Sequence, residues 1–297
     1  MPRHLSRPRQ DGRRIAYLVL AFALVLVVAG TWWVLRDTSD EKVPAAASLV
    51  DVSPSPSTTA AVTTAPTSAP PSDIPSAQPT NPLTGRVDTL DGLVPDYVLP
   101  PIVDGLAPVL TKIPTEQKVV FLTIDDGAVK RDSDLALLER NGIKASIFLA
   151  HDIIANDPDF FLKYSAAGHP IENHTMTHNL GFIQLSYEAQ KAEICGMADF
   201  EEKHYGRRPV FFRPPGGPYT QATRQAVAAC GLKAIVDWES KANAGGMDYQ
   251  VGNGLRPGDI VLMHFRPEFP EDLGAFMKAQ KAAGLKVVLL EDYLQMP

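Results

Sequence analysis

The chain has 297 residues, enough for one sizeable domain plus appendages, and a formal net charge of −6. Six of its 28 Lys and Arg, but only one of its 34 Asp and Glu, fall within the first 36 residues, so the remainder is strongly acidic. That balance excludes polyanion binding as the main function, because phosphate backbones demand clustered Lys and Arg, and nucleic acid is not an expected partner.

Residues 1–14 are a basic segment carrying Arg3, Arg7, Arg9, Arg13 and Arg14, and residues 15–35 are apolar and uncharged. About 20 apolar residues span a bilayer, and a basic flank on the amino side predicts a cytoplasmic N-terminus. The expectation is a single-pass membrane anchor with everything after it extracellular. A cleavable secretory signal is the competing reading, but its apolar core is only about 7–15 residues long. Here Trp32 and Trp33 sit at the outer edge as interfacial anchors do. Residues 36–81 are dominated by Pro, Ser, Thr and Ala. Such a segment buries too little apolar surface to order, so it reads as a disordered linker. Residues 82–117 form an irregular lead-in, and residues 118–297 are the main domain.

Within that domain, strand-like runs are predicted at residues 119–124, 144–149, 170–173, 210–212, 233–238, 259–264 and 286–290. Helix-like stretches at residues 133–141, 158–167, 187–204, 221–230 and 273–283 separate most of them. Strand alternating with helix predicts a parallel α/β sheet, and seven strands favour a barrel over an open sheet. Cys195 and Cys230 form a disulfide if the compartment is oxidising, or are two small buried apolar residues; the sequence leaves both open.

Chemistry-bearing residues recur where apolar runs stop, and in an α/β barrel the C-terminal strand ends carry the active site. Asp125-Asp126-Gly127 follows the first run. Side chains alternate along a strand, so the two carboxylates diverge unless the turn rotates one, which suits one as cation ligand and the other as base. His174 and His178 are four apart, a spacing at which one turn of helix brings both imidazoles to one face. Two imidazoles and Asp126 suit a divalent metal, Zn²⁺ first, with Co²⁺, Ni²⁺ or Mn²⁺ as alternatives. Thr175 stands where a zincin would carry its glutamate, so a peptidase reading loses its base. Arg213, before Pro214-Pro215-Gly216-Gly217, could hold a neighbouring carboxylate bidentately, and the stiff loop offers a main-chain oxyanion donor. His264 ends the most apolar run; it is a core histidine or, opposite a base and a metal, a general acid.

These blocks, Leu122–Gly127, His174–His178, Arg213–Gly217 and Leu262–His264, resemble in order those of the NodB-homology polysaccharide deacetylases, carbohydrate esterase family 4. The resemblance covers about Lys118 to Leu294. It implies a distorted (β/α)₇ barrel and metal-dependent removal of N-acetyl or O-acetyl groups from an extracellular or cell-wall glycan. Asp126, His174 and His178 would hold the metal and Asp125 would activate water. Arg213 would orient Asp125, the N–H near Gly216 would face the oxyanion, His264 would protonate the leaving group, and Leu262 would line the acetyl pocket. Two departures stand out. The family often has an aromatic where Gly216 stands, and its Asp-Trp pair fits Asp237-Trp238 only with a shifted gap. Asp237 either pairs with His264 and raises its pKa or faces away. An acetylxylan-type esterase and a glycan-binding pseudoenzyme are the alternatives.

Overall fold

The computed structural model of the chain describes residues 89–297. The basic segment 1–14, the expected anchor 15–35, the linker 36–81 and the first residues of the lead-in lie outside the described residues. Among the described residues no helix is long and apolar enough to cross a membrane.

In chain order, strand β1 (Val109–Leu110) and β2 (Val119–Asp126) precede helix α1 (Asp132–Arg140). Strand β3 (Ser146–Leu149), α2 (His151–Ile154), α3 (Leu162–Ala166), β4 (Ile171–Asn173) and α4 (Tyr187–Tyr205) follow. Next come β5 (Phe211–Phe212), α5 (Gln221–Ala229), β6 (Ala234–Val236) and the hairpin β7 (Ser240–Asn243) with β8 (Gly246–Tyr249). The domain ends with β9 (Ile260–His264), α6 (Phe269–Ala283), β10 (Lys286–Val287) and α7 (Leu290–Tyr293). The seven expected strands are β2 to β6, β9 and β10. The stretch expected as one helix from Pro158 opens as a 3₁₀ turn, Pro158–Phe161, before α3. The final expected strand stops at Val287, and Leu290 starts a helix instead.

The sheet order is β1-β6-β5-β4-β3-β2-β9-β7-β8, with β10 paired to the start of β2. All of these pairings are parallel except that of β7 with β8. The expected barrel is therefore a curled, mixed half-barrel, because the added β1 and the β7–β8 hairpin occupy its two edges. Only Asp237, Trp238 and Glu239 join β6 to β7, near opposite ends of that order. Such a link reaches about 14 Å at most, so the sheet must curl to bring its ends together.

Alternation along β2 divides the core. Val119 and Phe121 point into the half-barrel with Phe148, Phe211, Val236 and Ile260. Val120, Leu122 and Ile124 face Leu135, Leu138 and Phe276 of the outer helices. Both faces are covered, which is why β2 reads as a continuous apolar run. On the inner row the next positions are Thr123 and Asp125, so the lining turns polar towards the C-terminal strand ends.

The Cys195–Cys230 pair is a disulfide, with a Cα separation of 5.0 Å and a sequence separation of 35. It ties the middle of α4 to the residue that ends α5. Closing a loop of that length in the unfolded chain is worth about 4 kcal/mol on the chain-entropy account.

Glu201 of α4 is fully buried and neither carboxyl oxygen is hydrogen-bonded. Burial pushes its pKa well above the carboxylate range and Glu172 adds to the rise, with Arg207 and Arg208 only partly opposing. The folded state thus binds this proton more tightly than the unfolded one. Its contribution is complete below the ordinary carboxylate pKa and is lost as pH rises towards the folded value. Glu201→Gln is expected to flatten that loss and to be more stable than the parent at alkaline pH by about 1–3 kcal/mol. Urea unfolding at several pH values checks this; parallel pH profiles for the two proteins would count against it.

Candidate functional site

The site begins where β2 ends. Asp126 takes φ +76° and Gly127 φ +83°, so the chain twists off the strand immediately after Asp125. A Cβ on Gly127 would lie 2.6 Å from Ile154 Cγ2 and 2.9 Å from Leu149 Cδ2, so both conformation and space require glycine there. The twist brings two consecutive carboxylates to one imidazole: His174 Nε2 is 3.7 Å from Asp125 Oδ2 and 3.5 Å from Asp126 Oδ1. His178 Nε2 is 3.2 Å from the same Asp126 oxygen.

The two histidines do not sit on a turn of helix. Residues 174–178 form a loop in which Thr175 and His178 both have left-handed φ, +75° and +52°. Positive φ at a β-branched residue costs of order 1–3 kcal/mol and persists only where neighbours enforce it. Here they do. The Thr175 N–H donates to Asn173 Oδ1 at 3.1 Å, its hydroxyl accepts from the His178 N–H at 3.0 Å, and its carbonyl accepts from the His151 N–H at 3.2 Å. The rings of His174 and His178 consequently meet edge to face, 4.9 Å between centroids.

A divalent cation fits this trio. The ligand atoms of Asp126, His174 and His178 all lie within 4.8 Å of one another. Asp126 Oδ1 is buried between the imidazoles without a hydrogen bond, an orphan that a cation would satisfy. His174 Nδ1 donates to the Arg213 carbonyl at 2.7 Å, which fixes the tautomer and leaves the Nε2 lone pair facing the trio. Burial alone would raise the Asp126 pKa, but the two imidazoles outweigh it and keep the carboxylate well below its usual range.

Asp125 is held from the other side. Arg213 is completely buried inside the half-barrel, and its Nη1 donates to Asp125 Oδ1 at 2.7 Å and to Thr123 Oγ1 at 2.8 Å. Its Nε and Nη2 donate to the carbonyls of Val236 and Asp237, at 2.9 and 3.1 Å, and the guanidinium lies 4.4 Å from the centre of the Phe148 ring. The sequence suggested a bidentate grip on a carboxylate; the fork is instead shared among four acceptors.

His264 on β9 is the register partner of Asp125, and Leu262 pairs with Thr123 one step below. No hydrogen bond or ion pair joins Asp237 to His264. Burial lowers the His264 pKa first, with Asp125 and Asp126 pulling it up and Arg266 and His174 pushing it down. Of the two possibilities the sequence leaves open for Asp237, the geometry has it facing away from His264. The Asp237 backbone is occupied by Arg213 and Leu110, and its carboxyl faces the loop near Gly217 and is raised by burial. The Gly217 N–H closes a turn onto the Pro214 carbonyl at 3.0 Å, while the neighbouring Gly216 is exposed. A Cβ on Gly217 would come within 2.9 Å of Trp238 Cη2, so the loop and the Trp238 ring pack directly against each other.

Asn173, Thr175 and Glu193 belong to the ligand loop's support and were not singled out for it from sequence. Asn173 immediately before the histidine pair was the available signal, since its amide can bond the main chain two residues on.

The description "polysaccharide deacetylase" belongs to the family model that matches residues 112–235. An uncharacterised protein of Streptomyces coelicolor is 32% identical over 197 residues, covering 64% of this chain and 78% of the relative. A peptidoglycan-N-acetylglucosamine deacetylase of Bacillus cereus is 26% identical, over 62% of this chain and 92% of the relative. Among solved structures, a family 4 carbohydrate esterase pseudoenzyme from Bacillus anthracis is similar in fold. Its TM-score is 0.55 at 20% identity, over 63% of this chain and 69% of that one.

Proposed function

This chain belongs to the polysaccharide deacetylase family, and on that premise we propose that it removes N-acetyl groups from amino-sugar residues of an extracellular or cell-wall glycan such as peptidoglycan. One observation carries the reading: a buried, hydrogen-bond-free Asp126 oxygen lies 3.2 and 3.5 Å from two imidazole nitrogens, beside a second carboxylate fixed by a buried arginine. Asp126, His174 and His178 hold a divalent cation, Zn²⁺ by the preference of this donor set, with Co²⁺, Ni²⁺ or Mn²⁺ as alternatives. When bound, such a cation supplies Lewis acidity for hydrolysing an acetyl group. Asp125 takes the proton of the attacking water, and Arg213 keeps it aimed. The Gly216 N–H donates to the developing oxyanion. His264 gives a proton to the departing amine, and Leu262 and Trp238 bound the acetyl group. Asp237, through its carbonyl on Arg213, serves the base rather than the acid.

The location is part of the proposal. Residues 15–35 anchor the chain in the membrane, residues 36–81 act as a tether, and the domain works outside. The disulfide supports this, because such bonds persist in oxidising compartments.

The full-length chain in detergent is expected to release acetate from a peptidoglycan or N-acetylglucosamine oligomer. A strong chelator should stop the release and Zn²⁺ restore it. Activity that survives the chelator would refute the proposal. An acetylated xylan in the same panel separates an esterase from an N-deacetylase. The unpaired His264 favours one second reading, a glycan-binding pseudoenzyme. Saturable glycan binding without acetate release under every metal would select it, and turnover lost in His264→Ala would eliminate it.

A further inference from the structure

Helix α4 reaches the ligand loop with three residues of one turn, Glu193, Ile194 and Gly196. The Glu193 carboxylate accepts two bonds from Thr177, from its N–H and from its hydroxyl, both at 2.9 Å. The Ile194 carbonyl accepts from Asn173 Nδ2 at 2.8 Å, and the same Asn173 side chain holds the Thr175 N–H. Gly196 makes room for Met176; a Cβ there would stand 3.3 Å from Met176 Cγ. The chain between the two ligand histidines is thus gripped at residues 175, 176 and 177, two of them by α4 directly. Cys195 lies in the middle of the grip, and its bond to Cys230 fixes α4 against α5.

We propose that residues 193–196 form a clamp that positions His178 for the cation, and that the Cys195–Cys230 bond holds the clamp in register, so that metal affinity depends on the disulfide. This rests on the reading of Asp126, His174 and His178 as ligands. Glu193 is a positioning residue: it touches neither cation nor substrate, and it acts by holding Thr177 next to His178. Two charge-assisted bonds to one residue of a strained loop suit that task. Without them the left-handed His178 is held through its own N–H by the Thr175 hydroxyl alone, and it shifts more readily towards commoner backbone angles.

The test is Co²⁺ binding by the full-length chain, measured by competition with a chromophoric chelator and by the Co²⁺ d–d spectrum. Glu193→Ala should weaken binding about tenfold and alter the spectrum, as loss of a ligand's outer support does. Glu193→Gln, whose amide oxygen still accepts the Thr177 N–H, should recover most of the affinity. Cys195→Ala with Cys230→Ala should also weaken binding, and adding Glu193→Ala to it should cost less than in the parent, because both act on one device. Tight Co²⁺ binding unchanged by Glu193→Ala would overturn the clamp. Parent-like binding by the folded double-cysteine variant would overturn its dependence on the disulfide. Failure of the parent itself to bind Co²⁺ would overturn the ligand assignment, which the other outcomes leave standing. If the double-cysteine variant does not fold, the parent with its Cys195–Cys230 bond reduced under mild conditions takes its place, and unchanged Co²⁺ affinity on reduction would overturn the dependence on the disulfide.

Discussion

Asp125→Asn is expected to lower kcat for acetate release by roughly 10²–10⁴-fold, the range lost with a general base, while Co²⁺ affinity stays close to that of the parent. The amide has the shape of the carboxylate, and its oxygen can still accept the Arg213 Nη1 donor now 2.7 Å from Asp125 Oδ1. What disappears is the ability to take a proton. Asp126→Asn is the necessary contrast. Its Oδ1 is the atom shared by both imidazoles, so metal affinity and activity should fall together. The two neighbours differ in backbone as well as in contacts: Asp125 ends the regular part of β2, and Asp126 is turned to φ +76°. If Asp125→Asn retains activity, or loses its cation along with its turnover, the division of labour between the carboxylates is wrong.

The parts of this site visible in the sequence are those attached to strands buried on both faces. Val119 to Ile124, Ile147 to Leu149 and Ile260 to Met263 are buried throughout and apolar at every residue but Thr123, so their ends mark the mouth of the sheet without knowledge of the pairing. The backbone that unites the ligands was not visible. The four-residue spacing of His174 and His178 suggested helix, but Asn173 and Thr175 bind main-chain groups locally and impose left-handed turns instead. The β7–β8 hairpin was missed for a related reason. Its turn at Ala244-Gly245 uses left-handed φ at both positions, +51° and +71°, yet lacks the Asn-Gly signature usual for that geometry. Its strand residues Ser240 to Asn243 also alternate buried with half-buried side chains, but the buried ones are Ser240 and Ala242, too small and too weakly apolar to read as a core face. Asp237 could not be assigned because its contacts are set by the short link between the two sheet ends, a property of the closure and not of local sequence.

Arg213→Met is expected to destabilise the chain by about 3–5 kcal/mol, the range for removing one partner of a buried ion pair, besides abolishing turnover. The guanidinium is wholly buried and serves Asp125, Thr123 and the carbonyls of Val236 and Asp237 at once. Methionine fills much of the volume over Phe148 but leaves a buried carboxylate without a counter-charge. Arg213→Lys should fare little better, since a single ammonium cannot reach acceptors on β2 and on both sides of the β6 end together. The cycle with Asp125→Asn decides what the arginine is for. If its main task is to accommodate that carboxylate, Arg213→Met should cost clearly less in the Asp125→Asn background, with a coupling of about 0.5–3 kcal/mol by urea unfolding. A coupling near zero would mean that Arg213 acts chiefly as a tie between β2, β5 and β6. The loss of turnover in Arg213→Met would then be a consequence of a loosened half-barrel and not of a misdirected base.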